Sequence, residues 1–166
     1  DLPYEGAYRL YLGQAPYKDF GIPFGFGFFT VPTFFFHLFG PNFNSLLFGQ
    51  VFLNILSCAT LISVLTSLNI SKPVLFLSVF VYCLSYIFIY FWPWHTHTAF
   101  TYGLIAIAVI LKYDNEGTIQ RRILIMICAG MCSFLSFFTK QDYGGSKFLF
   151  WLIILAYMSY INKCLW

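Results

Sequence analysis

The sequence predicts an all-α, polytopic transmembrane bundle, and three observations carry that prediction. Of its 166 residues, 60% are hydrophobic and 9% charged, and the mean hydropathy is +0.76. A soluble domain of this length needs a charged shell, which nine Lys+Arg and six Asp+Glu cannot supply. The apolar residues fall in blocks of about 20, the length at which a helix crosses a bilayer core. Twenty-two Phe and twelve Tyr suit lipid-facing surfaces and interfacial aromatic belts. The formal charge of +3 is small and scattered, which sets nucleic acid aside as a partner.

Residues 1–23 are the most polar long stretch and read as a loop with short helical turns. Residues 24–40 are apolar but interrupted by Gly25, Gly27, Pro32 and His37, which predicts a helix lying along the interface or entering part-way rather than a straight span. Gly40-Pro41-Asn42 breaks the chain. Five spans follow, at about 43–69, 73–91, 98–112, 122–138 and 147–163, separated by Asn69–Pro73, the WPWHTHT run from Trp92, KYDNEGTIQRR from Lys112 and TKQDYGGSK from Thr139. No internal repeat appears, so residues 1–166 belong to one membrane domain. The chain opens on Asp1 with no cleavable signal pattern and stops just after an apolar block, so it reads as a fragment lacking at least one upstream span.

Alternate loops divide the bases into Lys72, Lys112, Arg121, Arg122 and Lys163 against Arg9, Lys18, Lys140 and Lys147. The loop holding Lys112, Arg121 and Arg122 is clearly basic and is assigned to the cytoplasm. Residues 1–41, 92–97 and 139–146 then share the extracytoplasmic face. Carboxylates, imidazoles and a span-end Lys gather there, at a depth where unpaired polar groups are costly. Cys58, Cys83, Cys128 and Cys132 fall inside apolar blocks as small hydrophobes, Cys164 has no assigned role, and no disulfide framework is implied. Gln50 and Asn54 share one face of the first span, where they line a polar crevice or bond between helices. Gly130, beside Ala129 and Ser133, offers a close packing site, and His37 reads as structural.

YEGAYRLYLGQAPYKDF (4–20), the Phe-rich segment after it and LFGPN (38–42) resemble the first extracytoplasmic loop of GT-C glycosyltransferases. These are the dolichyl- or undecaprenyl-phosphate-sugar enzymes, such as the protein mannosyltransferases and the aminoarabinose transferases of lipid A. Glu5-Gly6, the run from Gly13 through Pro16-Tyr17-Lys18-Asp19-Phe20, and Leu38-Phe39-Gly40 carry the resemblance. FLSFFTKQDYG (134–144) is similar to the family's span ending in a Thr-Lys-Gln run before a Gly. The family pattern has Asp directly before Glu, and here Tyr4 stands in that place. Asp1 is four residues from Glu5 and would share its face if a helix formed across Pro3.

The resemblance implies transfer of a sugar from a polyprenyl-phosphate carrier to a glycan, lipid or protein acceptor. It implies inversion at the anomeric carbon, on the extracytoplasmic face of a multi-pass protein of a bacterial inner or cell membrane. Such chemistry asks for a base to take the acceptor's hydroxyl proton and a cation to hold the departing phosphate. Asp1, Glu5 and Asp19 are the candidate catalytic carboxylates. Asp1 and Glu5 are also candidate ligands of a divalent cation, Mg2+ or Mn2+. Arg9, Lys140, Gln141, His95 and His97 are the candidate contacts to the lipid-phosphate donor. Each has a plainer role beside it: solvated acids for Asp1 and Glu5, a helix cap for Asp19, a snorkelling Lys140, and an interfacial aromatic loop for the two histidines, whose spacing without a nearby acid is a weak metal signal. The rival classes are a transporter or flippase-like protein, which predicts broken helices at the midplane and inverted repeats, and a degenerate transferase homologue, which Tyr4 keeps open.

Overall fold

The structure is a computed structural model that describes residues 2–22, 24–87, 92–113, 118–146 and 149. Among these residues the chain is all-helical, with an isolated bridge between Pro16 and Phe20 in the first loop. The helices are α1 (Leu2–Tyr11), α2 (Gly27–Phe39), α3 (Phe43–Ser67), α4 (Lys72–Tyr82), α5 (His95–Ile110) and α6 (Ile119–Thr139). A π-turn, Cys83–Ile87, continues α4. The fifth expected span, Asp1, Lys163 and Cys164 lie outside the described residues, apart from Leu149 in that span.

The expectation of a loop over residues 1–23 is corrected by α1. Pro3 sits in the first turn of that helix, where its missing N–H has no intrahelical acceptor to lose. Gly6 lets α1 approach α2 closely, because a Cβ there would overlap the Phe29 ring. Ala7, Phe36 and Leu46 are buried together, with Tyr4 and Tyr11 packed against them. Tyr4 also donates its hydroxyl to the Pro41 carbonyl at 2.9 Å. The residue that stands where the family pattern has Asp thus ties α1 to the chain just before α3.

α2 is the 13-residue helix expected between Gly25 and Gly40, with Pro32 buried inside it. Gly40 ends it at φ 82°, a left-handed conformation that a side chain resists. Asn42 then caps α3, its side chain accepting from Ser45 N at 3.0 Å. α3, at 25 residues, and α6, at 21, are the two described helices long and apolar enough to cross a membrane. The shorter apolar helices α4 and α5 correspond to the expected spans 73–91 and 98–112. Thr118 caps α6 by accepting from Arg121 N.

Contacts fix the order of the bundle. Cys58 of α3 and Cys83 meet with their sulfurs 3.7 Å apart, so α4 returns along α3. Gly49 of α3 lies against Pro93, bringing the start of α5 beside the second turn of α3. Ser136 Oγ donates to the Ala99 carbonyl at 2.7 Å, and Lys140 Nζ donates to Thr96 Oγ1 at 3.3 Å, so α6 runs antiparallel to α5. The starts of α3 and α5 and the end of α6 therefore share one end of the bundle.

One further expectation changes. The break expected over residues 139–146 narrows to an extended backbone at Lys140 (φ −149°, ψ 107°), after which residues 141–146 are again helical. Gly144 makes that turn back feasible, since a Cβ there would overlap the Phe137 backbone. Among the described residues nothing lies within 4 Å of a Cβ placed on Gly130, and its neighbour Ala129 is the buried residue.

Candidate active site

The first half of the site is a cleft of about 240 Å³ between α1 and the loop after it, lined by Glu5, Arg9, Phe20, Ile22 and Phe29 among others. Glu5 and Arg9 are one helical turn apart, and Arg9 donates from its Nη2 at 2.7 Å and its Nε at 3.1 Å to the same carboxylate oxygen. The Glu5 side chain is 62% exposed, so the pair adds about 0.3–0.5 kcal/mol to helix stability. Its larger effect is to orient the carboxylate at the cleft. Arg9 also lies 5.4 Å from the centre of the Phe20 ring, a cation–π contact that holds the loop over the helix.

Asp19 does not cap a helix. Its carboxylate accepts from Ala15 N at 2.7 Å and closes the turn in which Tyr17 adopts φ 65°. The Tyr17 hydroxyl donates to the Phe24 carbonyl at 2.9 Å, which carries the loop onward to the second half of the site.

There, residues 24–27 pack on the end of α6. A Cβ on Gly25 would overlap the Phe138 carbonyl, and one on Gly27 would come within 2.7 Å of Thr139 Oγ1. Phe26 and Phe138 meet edge to face at 4.5 Å between ring centres. Phe24 stacks on His95 at 4.1 Å, and Phe28 and Trp94 close around the same imidazole. Lys140 reaches this cluster from the kink after α6, bonded to Thr96 and 3.5 Å from the Asp142 carboxylate. Gln141 is exposed beside it.

His95 is 6% exposed. Burial, helped by the Lys140 ammonium and opposed by Asp142, pushes its pKa down from 6.5 to about 4, so the imidazole is neutral at pH 7. Its Nδ1 is buried and has no hydrogen-bond partner among the described residues.

His97 points elsewhere. It is fully buried, with Nδ1 3.3 Å from Gln50 Nε2 and Nε2 3.4 Å from the Tyr82 hydroxyl. Gln50 Nε2 also donates to Asn54 Oδ1 at 2.9 Å. The histidine therefore joins α3, α4 and α5 in a buried polar network. Gln50 serves the interhelical bonding foreseen as one of its two roles, while Asn54 bonds to Gln50 within α3. His37 packs on Tyr11 at 4.9 Å between ring centres.

Of the two expected ligands of a divalent ion, Asp1 lies outside the described residues, and Glu5, the one acid among the described residues lining the cleft, gives one of its two carboxylate oxygens to Arg9. No group of three His, Cys, Asp or Glu that could hold a metal occurs among the described residues. The participant that sequence reasoning missed is Thr96. Its signal was present in the His-Thr-His-Thr run from His95, where a hydroxyl sits between two imidazoles at a helix start.

The structure thus brings Arg9 and Glu5 together at the cleft, and His95, Thr96 and Lys140 together at the kink. The loop from Gly13 to Gly27 touches both groups. Compared with protein-family models, with curated proteins and with solved structures, the chain matches none of them.

Proposed function

We propose that this chain is part of a polytopic membrane glycosyltransferase that moves a sugar from a polyprenyl-phosphate carrier to an acceptor on the extracytoplasmic face. The membrane reading is supported by the outward apolar side chains of the long helices. Phe52 and Ile55 on α3, and Leu124, Ile127, Met131 and Phe134 on α6, are about half exposed or more. Water would not tolerate such continuous apolar faces, and lipid does. α4 and α5 complete a multi-pass bundle in this reading, with the membrane part of α5 beginning near Thr98.

The observation that carries the reading is a single loop, Gly13 to Gly27, that packs both on the Glu5–Arg9 cleft and on the end of α6 before the Lys140 kink, two groups more than a hundred residues apart in sequence. In the reaction, Glu5 takes the proton of an acceptor hydroxyl as the acceptor oxygen bonds to the anomeric carbon. The bond from that carbon to the phosphate oxygen breaks, and the polyprenyl phosphate leaves with the electron pair. Lys140 offsets the charge that builds on it. Arg9 holds the Glu5 carboxylate in position, and Thr96 holds the Lys140 ammonium. A single displacement of this kind inverts the anomeric carbon.

The test uses the full-length protein in proteoliposomes with a radiolabelled polyprenyl-phosphate hexose, following release of polyprenyl phosphate. Glu5→Gln lowers turnover by about 100-fold or more while donor binding is retained. Lys140→Met weakens both. Wild-type rates in both variants reject the assignment.

A further inference from the structure

The start of α5 carries more than its place in the reaction above requires. Trp94, at the N-cap, gives no side-chain hydrogen bond to the first turn. The amides of His95 and Thr96 are among those that have no intrahelical acceptor in any α-helix. They stand at the positive end of the helix dipole. Beside them are the Lys140 ammonium, 3.3 Å from Thr96 Oγ1, and the buried His95 Nδ1 with no partner among the described residues. A buried nitrogen left unbonded costs about 1–3 kcal/mol, and a ligand oxygen at this helix start would satisfy it.

We propose that the first turn of α5, with Lys140 and His95, is a phosphate seat in which His95 takes up a proton as the anion binds. The proposal rests on the transferase reading for its lipid source, but the seat itself does not. Its ligand class is a phosphodiester monoanion, which a polyprenyl-phosphate sugar presents and a water-borne phosphodiester shares.

The physical argument is one of charge. Without a ligand, burial first and Lys140 second hold His95 neutral, and Asp142 is the one carboxylate among the described residues that acts against them. Among the described residues, the other groups against the ring are the uncharged Phe24, Phe28 and Trp94. An anion seated by Lys140 cancels the repulsion and offers Nδ1 an acceptor, so both changes favour the imidazolium. The proton comes from solvent. In the Michaelis complex His95 then donates to the phosphate, and it returns the proton when the lipid phosphate departs. Linkage requires the reverse effect as well: the anion binds more tightly as pH falls.

The experiment measures binding of farnesyl methyl phosphate to the full-length protein in lipid nanodiscs between pH 7 and pH 5. The charge of this diester does not change over that range. Wild-type affinity rises about tenfold from pH 7 to pH 5, and calorimetry at pH 5 in two buffers of different ionisation heat shows proton uptake, a measurement that needs no variant. His95→Gln binds with little pH dependence, and Lys140→Met binds about tenfold or more weakly at every pH. A pH-independent wild-type affinity, absence of proton uptake, or a pH response retained in His95→Gln overturns the proposal. So does failure of the wild type to bind any diester. Dimethyl phosphate binding as tightly as the farnesyl ester overturns the lipid source. Binding with the full pH response but no sugar transfer upholds the seat and rejects the transferase reading instead.

Discussion

Gly25 and Gly130 make opposite predictions for the same substitution, and together they test how the site is built. At Gly25 an added methyl group would overlap the carbonyl oxygen and carbon of Phe138, with the Thr139 carbonyl oxygen 3.3 Å away. Every one of these atoms is backbone, so no side-chain rotation relieves the clash, and the loop must leave the end of α6. Overpacking of this kind costs about 1–3 kcal/mol, and an immovable neighbour puts Gly25→Ala at the upper end. At Gly130 nothing among the described residues lies within 4 Å of the new methyl, and replacing glycine inside a helix stabilises by about 0.5–1 kcal/mol. The assay is thermal unfolding of the full-length protein in detergent, followed by circular dichroism, with limited trypsin cleavage at Lys18 as a local readout. Gly25→Ala lowers the midpoint by roughly 5 °C or more and speeds cleavage; Gly130→Ala raises the midpoint and leaves cleavage unchanged. A Gly25→Ala protein that melts with the wild type and resists trypsin equally would show that residues 24–27 do not rest on α6, and the site described above would come apart.

Two further outcomes follow from the buried polar groups. Gln50→Leu removes the partner of both His97 Nδ1 and Asn54 Oδ1, which destabilises by about 1–3 kcal/mol. A double-mutant cycle with His97→Leu then yields a coupling of about 0.5–2 kcal/mol; strict additivity would mean that the two side chains do not interact. For His95 the sign follows from its lowered pKa. The unfolded chain binds a proton near pH 6.5 and the folded one only near 4, so stability is complete above about pH 6.5 and is lost as pH falls towards 4. The total is on the order of 3 kcal/mol. Melting curves of the ligand-free wild type and His95→Gln at pH 7 and pH 5 check this, and equal acid sensitivity in the two proteins contradicts it.

The long helices were legible because local and tertiary preferences agree there. Gly40-Pro41-Asn42 ends one helix and caps the next, Thr118 opens α6, and the apolar runs between have no competing structure. α1 was hidden for the opposite reason. Its Pro3 and Gly6 read as loop residues, but Gly6 is there to admit the Phe29 ring, and contacts that lie far along the chain outweigh weak local propensity. The two histidines show the same limit at the scale of one turn. Treated as a loop, His95 and His97 appear to face a common ligand. On a helix, residues two apart point about 200° apart, so one imidazole enters the bundle while the other stays with Lys140.

The motif residues divide along the same line between shape and chemistry. Tyr17 at φ 65°, Asp19 accepting from Ala15 N, Gly40 at φ 82° and Gly6 beneath Phe29 each answer a backbone or packing demand. None of them has to touch a substrate to be needed. Their joint effect is to set one loop on α1 through Arg9 and Phe20 and on α6 through Gly25 and Phe26. Glu5 and Lys140 leave their charges at the cleft and the kink, the first oriented by Arg9 one turn on and the second by the backbone from which it springs. The extended backbone at Lys140 turns its side chain back to Thr96, 44 residues earlier in the chain. A change that straightens that kink would displace the ammonium without altering any charge, so chemistry at this end of the bundle depends on the backbone at Lys140 as much as on its ammonium.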